Sequence, residues 1–597
     1  MEDDADAMEV EAANVLATPS PSMPVPEHMP TPAATKKDNG ILGWLLIAAL
    51  AAVLVLGYMQ HWWTSENFKH FAMPPSWQAL TPELVILLFA VLAPLVGLGN
   101  STGRDMRNFA VVGLGGALFL CASSLVSWTL NIGSFSVPFD YIARSQDALV
   151  AGDPVAHVLS VTYASQLLKV LFLGVAFIAI LGVGKPLKGK TEEDWGEFVS
   201  LILFATLGMM VVASARDLIV LVLGIEMTSM SSYVLAGFRR DAVGAEASLK
   251  YFTIGAISSG LLLFAVSLLY GMAGTTNIAS LATAIRTHGA FDAAMLIPIV
   301  MLLAGLGFKI SSVPFHAWAP DVYAGAPVPV AGMLAAASKA MGFAAIFSVF
   351  LIGLPGAHAN WELVVAVIAV ASMFFGNLVA LQQTNIRRML AYSSIAQAGY
   401  VLIAVVAAGA VGGSEANQAS LLAQKTATLA LGGGFFHLLA NAAMKLGAFL
   451  IVGALLYAGL PDQISDWRGL GKRAPFLAFA MTLFLLSMAG LPPLGGFASK
   501  FVLFSGAVDA GTTQHMGWLT WLAIIAVINS AISLFVYLRV MRAMYVDEGE
   551  TGRLDAPAGT IAAVGVCALL ILAMGVWPQP FMDASFRAAA NFLGFGA

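Results

Sequence analysis

The sequence predicts an all-α polytopic membrane protein of about fifteen transmembrane helices, fourteen in a core and one extra at the N-terminal end. Three observations predict it. Only 11% of the 597 residues are charged and 59% are hydrophobic, with a mean hydropathy of +0.83; soluble domains carry about 25% charge. The apolar residues gather into fifteen segments, most of them near the ~20 residues that cross a bilayer as a helix. The basic residues between those segments alternate in density, as the positive-inside rule requires. This composition excludes a soluble globular enzyme and a disordered chain. It also excludes nucleic acid as a partner, because no basic surface is present to neutralise phosphates. Cys121 and Cys567 both lie in apolar runs. Two such cysteines build neither a disulfide framework nor an iron–sulfur site in this chain.

Residues 1–40 stand apart, with eight acids, two lysines and a run of prolines. Such a segment buries no core and reads as an acidic disordered tail. Residues 41–80 hold the extra helix (41–59) and an external loop. The core, 81–597, then runs through segments at 81–98, 108–131, 162–183, 196–214, 217–237, 246–272 and 294–318. It continues at 328–353, 362–381, 389–411, 427–457, 475–504, 517–544 and 558–577. Each is a continuous apolar run closed by Gly, Pro or charged residues.

Alternating the loops from a cytoplasmic tail places seventeen of the 29 basic residues inside, among them Arg104, Arg107, Arg239, Arg240, Arg387, Arg388, Arg468 and Arg539. Six lie outside: Lys69, Arg144, Arg216, Arg286, Lys425 and Arg587. A missed or spurious helix in the middle would scramble this pattern. The N-terminus is therefore expected in the cytoplasm and the C-terminus outside, in an energy-transducing membrane such as the prokaryotic cell inner membrane.

The remaining six are lysines within apolar segments: Lys169, Lys250, Lys309, Lys339, Lys445 and Lys500. Glu226 is the carboxylate deepest in a helix, and His437 shares a segment with Lys445 at a spacing of eight residues, roughly one helix face. Ionisable groups at membrane depth cost at least ~2.5 kcal/mol each and mark pathways by default. The bland alternative is that a long side chain snorkels to the interface, and it suits Lys169 and Lys250, near their segment ends. Lys309 and Lys500 resist it. Lys309 follows Gly305 and Gly307 and precedes Pro314; Lys500 follows Pro492, Pro493, Gly495 and Gly496. Hydrophobic helices interrupted in corresponding positions of two halves point to an ion pathway between inverted repeats, although Gly and Pro also produce simple kinks. Core helices 4–8 (about 196–353) and 9–13 (about 362–544) each number five, and the interrupted helices 7 and 12 take the fourth place in each. Burial disfavours the charged form of a lysine and a nearby carboxylate restores it, so Glu226 and Lys309 are expected to form a switchable pair. The chain carries no redox motif or phosphate loop, so energy for transport has to come from a partner.

The stretches LGIEMTSMSSYVLAGF, EASLKYFTIGAISSGLLLF, GFKISSVPFHAWAPDVYAGAPVPVAGMLAAASK, QQTNIRRMLAYSSIAQAGY and GLPPLGGFASKF resemble the antiporter-like subunits of complex I, the proton-translocating NADH–quinone oxidoreductase. The likeness is strongest to the subunit N branch and spans about 82–577. It implies a proton channel in which Glu226, Lys309, Lys339 and Lys500 carry the proton. Lys250 matches an additional helix 6 lysine, His316 a polar axis residue, and Lys445 a position where sister subunits carry a lysine. It implies no cofactor in this chain: NAD(H) or another donor, FMN, iron–sulfur clusters and quinone belong to partner subunits. The implied partners are the other membrane subunits, a peripheral redox arm and the lipid bilayer. Multi-subunit cation/proton antiporters and membrane-bound hydrogenases are the alternative settings. The tail and extra helix, and the external loop at 132–161 between core helices 2 and 3, depart from the family pattern.

Overall fold

The computed structural model describes residues 79–98, 102–126, 129–132, 135–138, 154–183, 194–287, 293–412 and 420–595. The acidic tail and the extra helix expected at 41–59 lie outside the described residues. All fourteen core helices are present. They are α1 Thr81–Leu98, α2 Gly103–Leu125, α3 Tyr163–Gly182, α4 Asp194–Ser214, α5 Leu218–Ala236 and α6 Ala242–Ala273. Next come α7 in two pieces, Leu296–Ile310 (α7a) and Ala319–Gly325 (α7b), then α8 Val328–Gly353, α9 His358–Gln382, α10 Ile386–Gly412 and α11 Leu421–Tyr457. The series closes with α12a Pro475–Ala489, α12b Gly495–Thr513, α13 Gly517–Tyr545 and α14 Ala558–Val576. Twelve of these are long and apolar enough to span a bilayer unaided; the other two are the broken α7 and α12.

Local chemistry sets several ends. Thr102 and Asp105 form a capping box that starts α2, five residues before the apolar run begins, because the cap satisfies the first-turn amides. Thr162 with Ser165 starts α3, and Asp217 and Asp241 cap α5 and α6. Segment 2 also ends earlier than its hydropathy suggests. The chain leaves α2 at Leu125 and forms a short antiparallel hairpin, Thr129–Ile132 with Phe135–Pro138. A further helix, α15 (Gln579–Phe592), follows α14 and was not expected. Its apolar residues line one face and its charged ones the other, so it lacks the continuous run that marks a spanning helix.

The two five-helix blocks match residue by residue at their joints. In α4–α8, Ile278 N–H donates to Arg216 O and Leu218 N–H to Thr276 O; in α9–α13, Ile464 N–H donates to Thr384 O and Ile386 N–H to Asp462 O. Each set ties the connection before the second helix to the one after the third. In α7 and α12 the first piece ends at a left-handed residue, Ser311 (φ 56°) or Gly490 (φ 85°), and a proline follows three residues later in both. The register then equates Glu226 with Ser394, Ser229 with Gln397, Lys309 with Met488, and Asp321 with Lys500. An odd number of crossings per block sends the second through the bilayer in the opposite sense. The backbone is repeated; the charges are not. α10 is buried along its whole spanning length, and α8 and α11 nearly so.

Candidate functional site

The site lies where α5, α7, α8, α10, α11 and α12 converge. Lys309, Lys339, Lys445, Lys500 and His437 are at most 4% exposed. Broken helices create this setting, because each break frees backbone groups that water or side chains have to satisfy. At α12 the break is enforced by close contact. A Cβ on Gly496 would fall 1.8 Å from the Ser487 carbonyl oxygen, and Gly496 N–H donates to Ser487 Oγ at 2.9 Å. That contact seats α12b against the end of α12a. Lys500, about one turn further on, reaches back and donates to Met488 O at 2.7 Å and to Ser530 Oγ at 2.8 Å. Its ammonium thus sits on the carbonyl end of α12a, where the helix dipole favours a cation. Tyr400 offers its ring face 4.4 Å below the charge.

In the first half, Lys309 occupies the last turn of α7a and donates to Ser229 Oγ at 2.6 Å. Glu226, one turn before Ser229, accepts from Ser259 Oγ at 2.5 Å. The expected direct pair is therefore not closed: among the described residues no ion pair joins Glu226 to Lys309. Each charge takes a hydroxyl instead, and the two are related through neighbouring positions on one face of α5. α8 packs on α7a so closely that a Cβ on Gly342 would lie 3.2 Å from Lys309 Cβ. Lys339 stands three residues before Gly342, on the same seam, directly after a π-helical stretch, Leu334–Ser338. Such wide turns concentrate at functional sites. Lys339 donates to Ser394 O at 2.8 Å.

The second half holds two hydrogen-bonded groups along α10. Lys445 donates to Ser393 Oγ at 2.7 Å and to Leu390 O at 3.1 Å, and Ser393 Oγ is 2.5 Å from the Tyr537 hydroxyl. One turn along α10, Gln397 Oε1 is 2.9 Å from His437 Nε2, and His437 Nδ1 is 3.0 Å from Ser499 Oγ. Gln397 Nε2 donates to Met488 O at 3.2 Å, the same carbonyl that Lys500 uses. Ser499, His437 and Gln397 are thus hydrogen-bonded in series, and Gln397 and Lys500 meet at one carbonyl.

Two expected members stand elsewhere. Lys250 is 42% exposed and pairs with Glu246 at 2.6 Å and Asp321 at 2.8 Å, while Arg388 takes the other oxygen of Asp321 at 2.6 Å. This is a half-exposed ion cluster that ties α6 and α7b to α10, outside the buried array. His316 lies in the α7 break with its ring edge-on to Phe375 at 4.5 Å and its Nδ1 unpaired; it bonds none of the lysines. Snorkelling fails for Lys169, which is fully buried against Glu83. Sequence reasoning missed Ser229, Ser259, Ser393, Gln397, Ser530 and Tyr537. A signal existed for part of the set: residues 393, 397 and 400 in YSSIAQAGY share one helical face.

Comparison with known proteins gives this arrangement its family. The model of the family described as "NADH:quinone oxidoreductase/Mrp antiporter, TM" matches residues 215–533. The F(420)H(2) dehydrogenase subunit N of Methanosarcina mazei is 38% identical over 532 residues, covering 86% of this chain and 99% of that protein. The NADH-quinone oxidoreductase subunit N of Trichlorobacter lovleyi is 38% identical over 476 residues, covering 79% and 88%. The chain belongs to the subunit N family of antiporter-like membrane subunits. A chain of the respiratory complex I structure from Thermus thermophilus with bound aureothin shares the fold, with a TM-score of 0.64, 29% identity and coverage of 84% and 98%. The subunit N match spans both five-helix blocks, so the buried lysines and the α10 polar stripe lie within the part of the chain that its relatives share.

Proposed function

We propose that this subunit translocates protons within a complex I-type NADH–quinone oxidoreductase, driven by electron transfer in partner subunits. The observation that carries the reading is the array of four buried lysines, three of them anchored on or beside α10 and the fourth on the α7a–α8 seam. A proton delivered near Glu226 passes to Lys309 when the carboxylate and ammonium approach through the Ser229 and Ser259 hydroxyls, and leaves Lys309 when they separate. Lys339 receives it across the α7a–α8 seam. Lys445 and His437 carry it along α10 through water that Gln397 orients, and Lys500 releases it beyond the α12 break. Proton transfer at each link needs donor and acceptor within about 3.2 Å or one bridging water; Lys445–Ser393–Tyr537 and Gln397–His437–Ser499 meet that distance within the protein, and water bridges the links between them. Each lysine holds its proton against desolvation only while an acceptor faces it, so a shift of α12a or α5 changes occupancy.

The redox chemistry belongs to partners: a donor such as NAD(H), FMN, iron–sulfur clusters and quinone. The named relatives differ in donor, so the peripheral arm decides it. The chain spans the membrane with its N-terminus in the cytoplasm and its C-terminus outside, and its functional core comprises the repeats at about 196–353 and 362–544. The test is Lys309→Ala in the assembled complex, measuring proton pumping and electron transfer together in vesicles. Electron transfer should continue with a lower proton-to-electron ratio; unchanged pumping sinks the assignment. The subunit composition of the purified complex separates this reading from a cation/proton antiporter or a membrane-bound hydrogenase.

A further inference from the structure

A second buried acid–base pair lies outside both repeats, in the α1–α3 helices. Glu83, in the first turn of α1, meets Lys169 of α3 with Oε1 and Nζ 2.5 Å apart; the side chains are 9% and 0% exposed. Gln166, three residues before Lys169 and on the same face of α3, is 0% exposed, and neither its Oε1 nor its Nε2 has a hydrogen-bond partner among the described residues. Glu83 Oε2 has none either.

We infer that Glu83, Lys169 and Gln166 form a second proton-holding site, separate from the lysine axis, at the end of the bundle where α1 and α3 begin. The inference rests on the proton-translocating reading above. Three physical points carry it. A buried ion pair is weak evidence for stability, because desolvating two charges cancels much of their attraction. An unpaired buried carboxamide beside it is unfavourable unless something polar meets it, and water is the group that satisfies a donor and an acceptor together. The location is also apt: α3 packs against α11 and against α8 along Leu334–Ser338, the turn directly before Lys339.

The chemistry balances without an added reagent. A proton moves from Lys169 Nζ to Glu83 Oε1, giving a neutral acid and amine. A proton arriving through water at Gln166 then protonates the amine, and the acid releases its own proton to a separate water at Glu83 Oε2, so the pair returns to its ionic form and one proton has entered on one side and left on the other.

The experiment uses the intact complex in vesicles, with redox-triggered infrared difference spectra and the proton-to-electron ratio as readouts. Glu83→Gln should lose a protonated-carboxyl band that the wild type shows during turnover. The double variant Glu83→Gln/Lys169→Met removes both charges together, and it should assemble, transfer electrons and pump fewer protons per electron. A double variant with the wild-type spectrum and ratio overturns the proposal and leaves the pair as a staple between α1 and α3. If that variant does not assemble, Gln166→Leu keeps the ion pair and removes the carboxamide; a shifted band and lower ratio support the site, and wild-type values overturn it. Lys309→Ala run alongside keeps the two readings apart, since it tests the lysine axis alone.

Discussion

At the scale of single residues, the site works because each buried ammonium has one or two designated acceptors and few others. Lys309 has Ser229, Lys339 has the Ser394 carbonyl, and Lys500 has Met488 O and Ser530. Removing an acceptor leaves a buried donor unsatisfied at about 1–3 kcal/mol, roughly five- to 150-fold in an equilibrium. Ser229→Ala should therefore shift Lys309 toward its neutral form and lower proton pumping while electron transfer persists; pumping equal to the wild type would show that Ser229 does not hold the charge. Gln397→Leu removes the single residue that bonds both His437 and Met488 O. Its complex should assemble and pump less, measured as the proton-to-electron ratio, and a wild-type ratio would show the route does not pass through α10. The lysines were readable from the sequence, because a charge in an apolar run is visible at once. Their partners were not. Serines and threonines in membrane helices commonly bond their own helix backbone, as Thr206 and Ser231 do here, so Ser229 and Ser393 look no different from them in sequence.

At the scale of elements, the breaks in α7 and α12 govern where the lysines reach. Glycine and proline predicted both interruptions, but not that Lys309 ends the first piece of its helix while Lys500 sits in the second piece of its own. That difference follows from packing. Gly496 lets α12b meet Ser487 at a distance no side chain permits, and the lysine is then carried back to the carbonyls of α12a. Gly496→Val should prevent this approach. The expected outcome is loss of assembled complex in membranes, read by native gel, because overpacking of backbone against backbone has no flexible neighbour to yield. Normal assembly would mean the break is set by the prolines alone. Hydropathy likewise located α2 and missed its hairpin, since capping at Thr102 and the exit at Leu125 depend on polar hydrogen bonds that an apolar average does not register.

At the scale of the molecule, the half-exposed cluster of Lys250, Asp321 and Arg388 fastens the first block to the second. Asp321 sits at the position that the repeat equates with Lys500, so one backbone plan serves a surface clasp in one half and a buried lysine in the other. The orientation proposed from the basic loops makes a direct prediction. In the assembled complex, a cysteine placed at Glu550 should react with a membrane-impermeant thiol reagent from the cytoplasmic side, and one at Ser420 from the opposite side. The reverse labelling would invert the topology.

The sequence by itself determined the class, the number and order of the core helices, the two interruptions and the lysines that interrupt the hydrophobic pattern. These are properties of consecutive residues, and the cost of charge in a bilayer makes them conspicuous. The tertiary structure alone decided which groups meet. It set Glu226 and Lys309 on hydroxyls instead of on each other, moved Lys250 to the surface cluster, and kept His316 in the α7 break, apart from the lysines. It also joined Lys169 to Glu83, 86 residues away in the chain. Contacts between helices depend on how far each backbone can approach its neighbour and on which face turns inward. Both are settled by packing across the fold, which the order of residues along one helix does not contain.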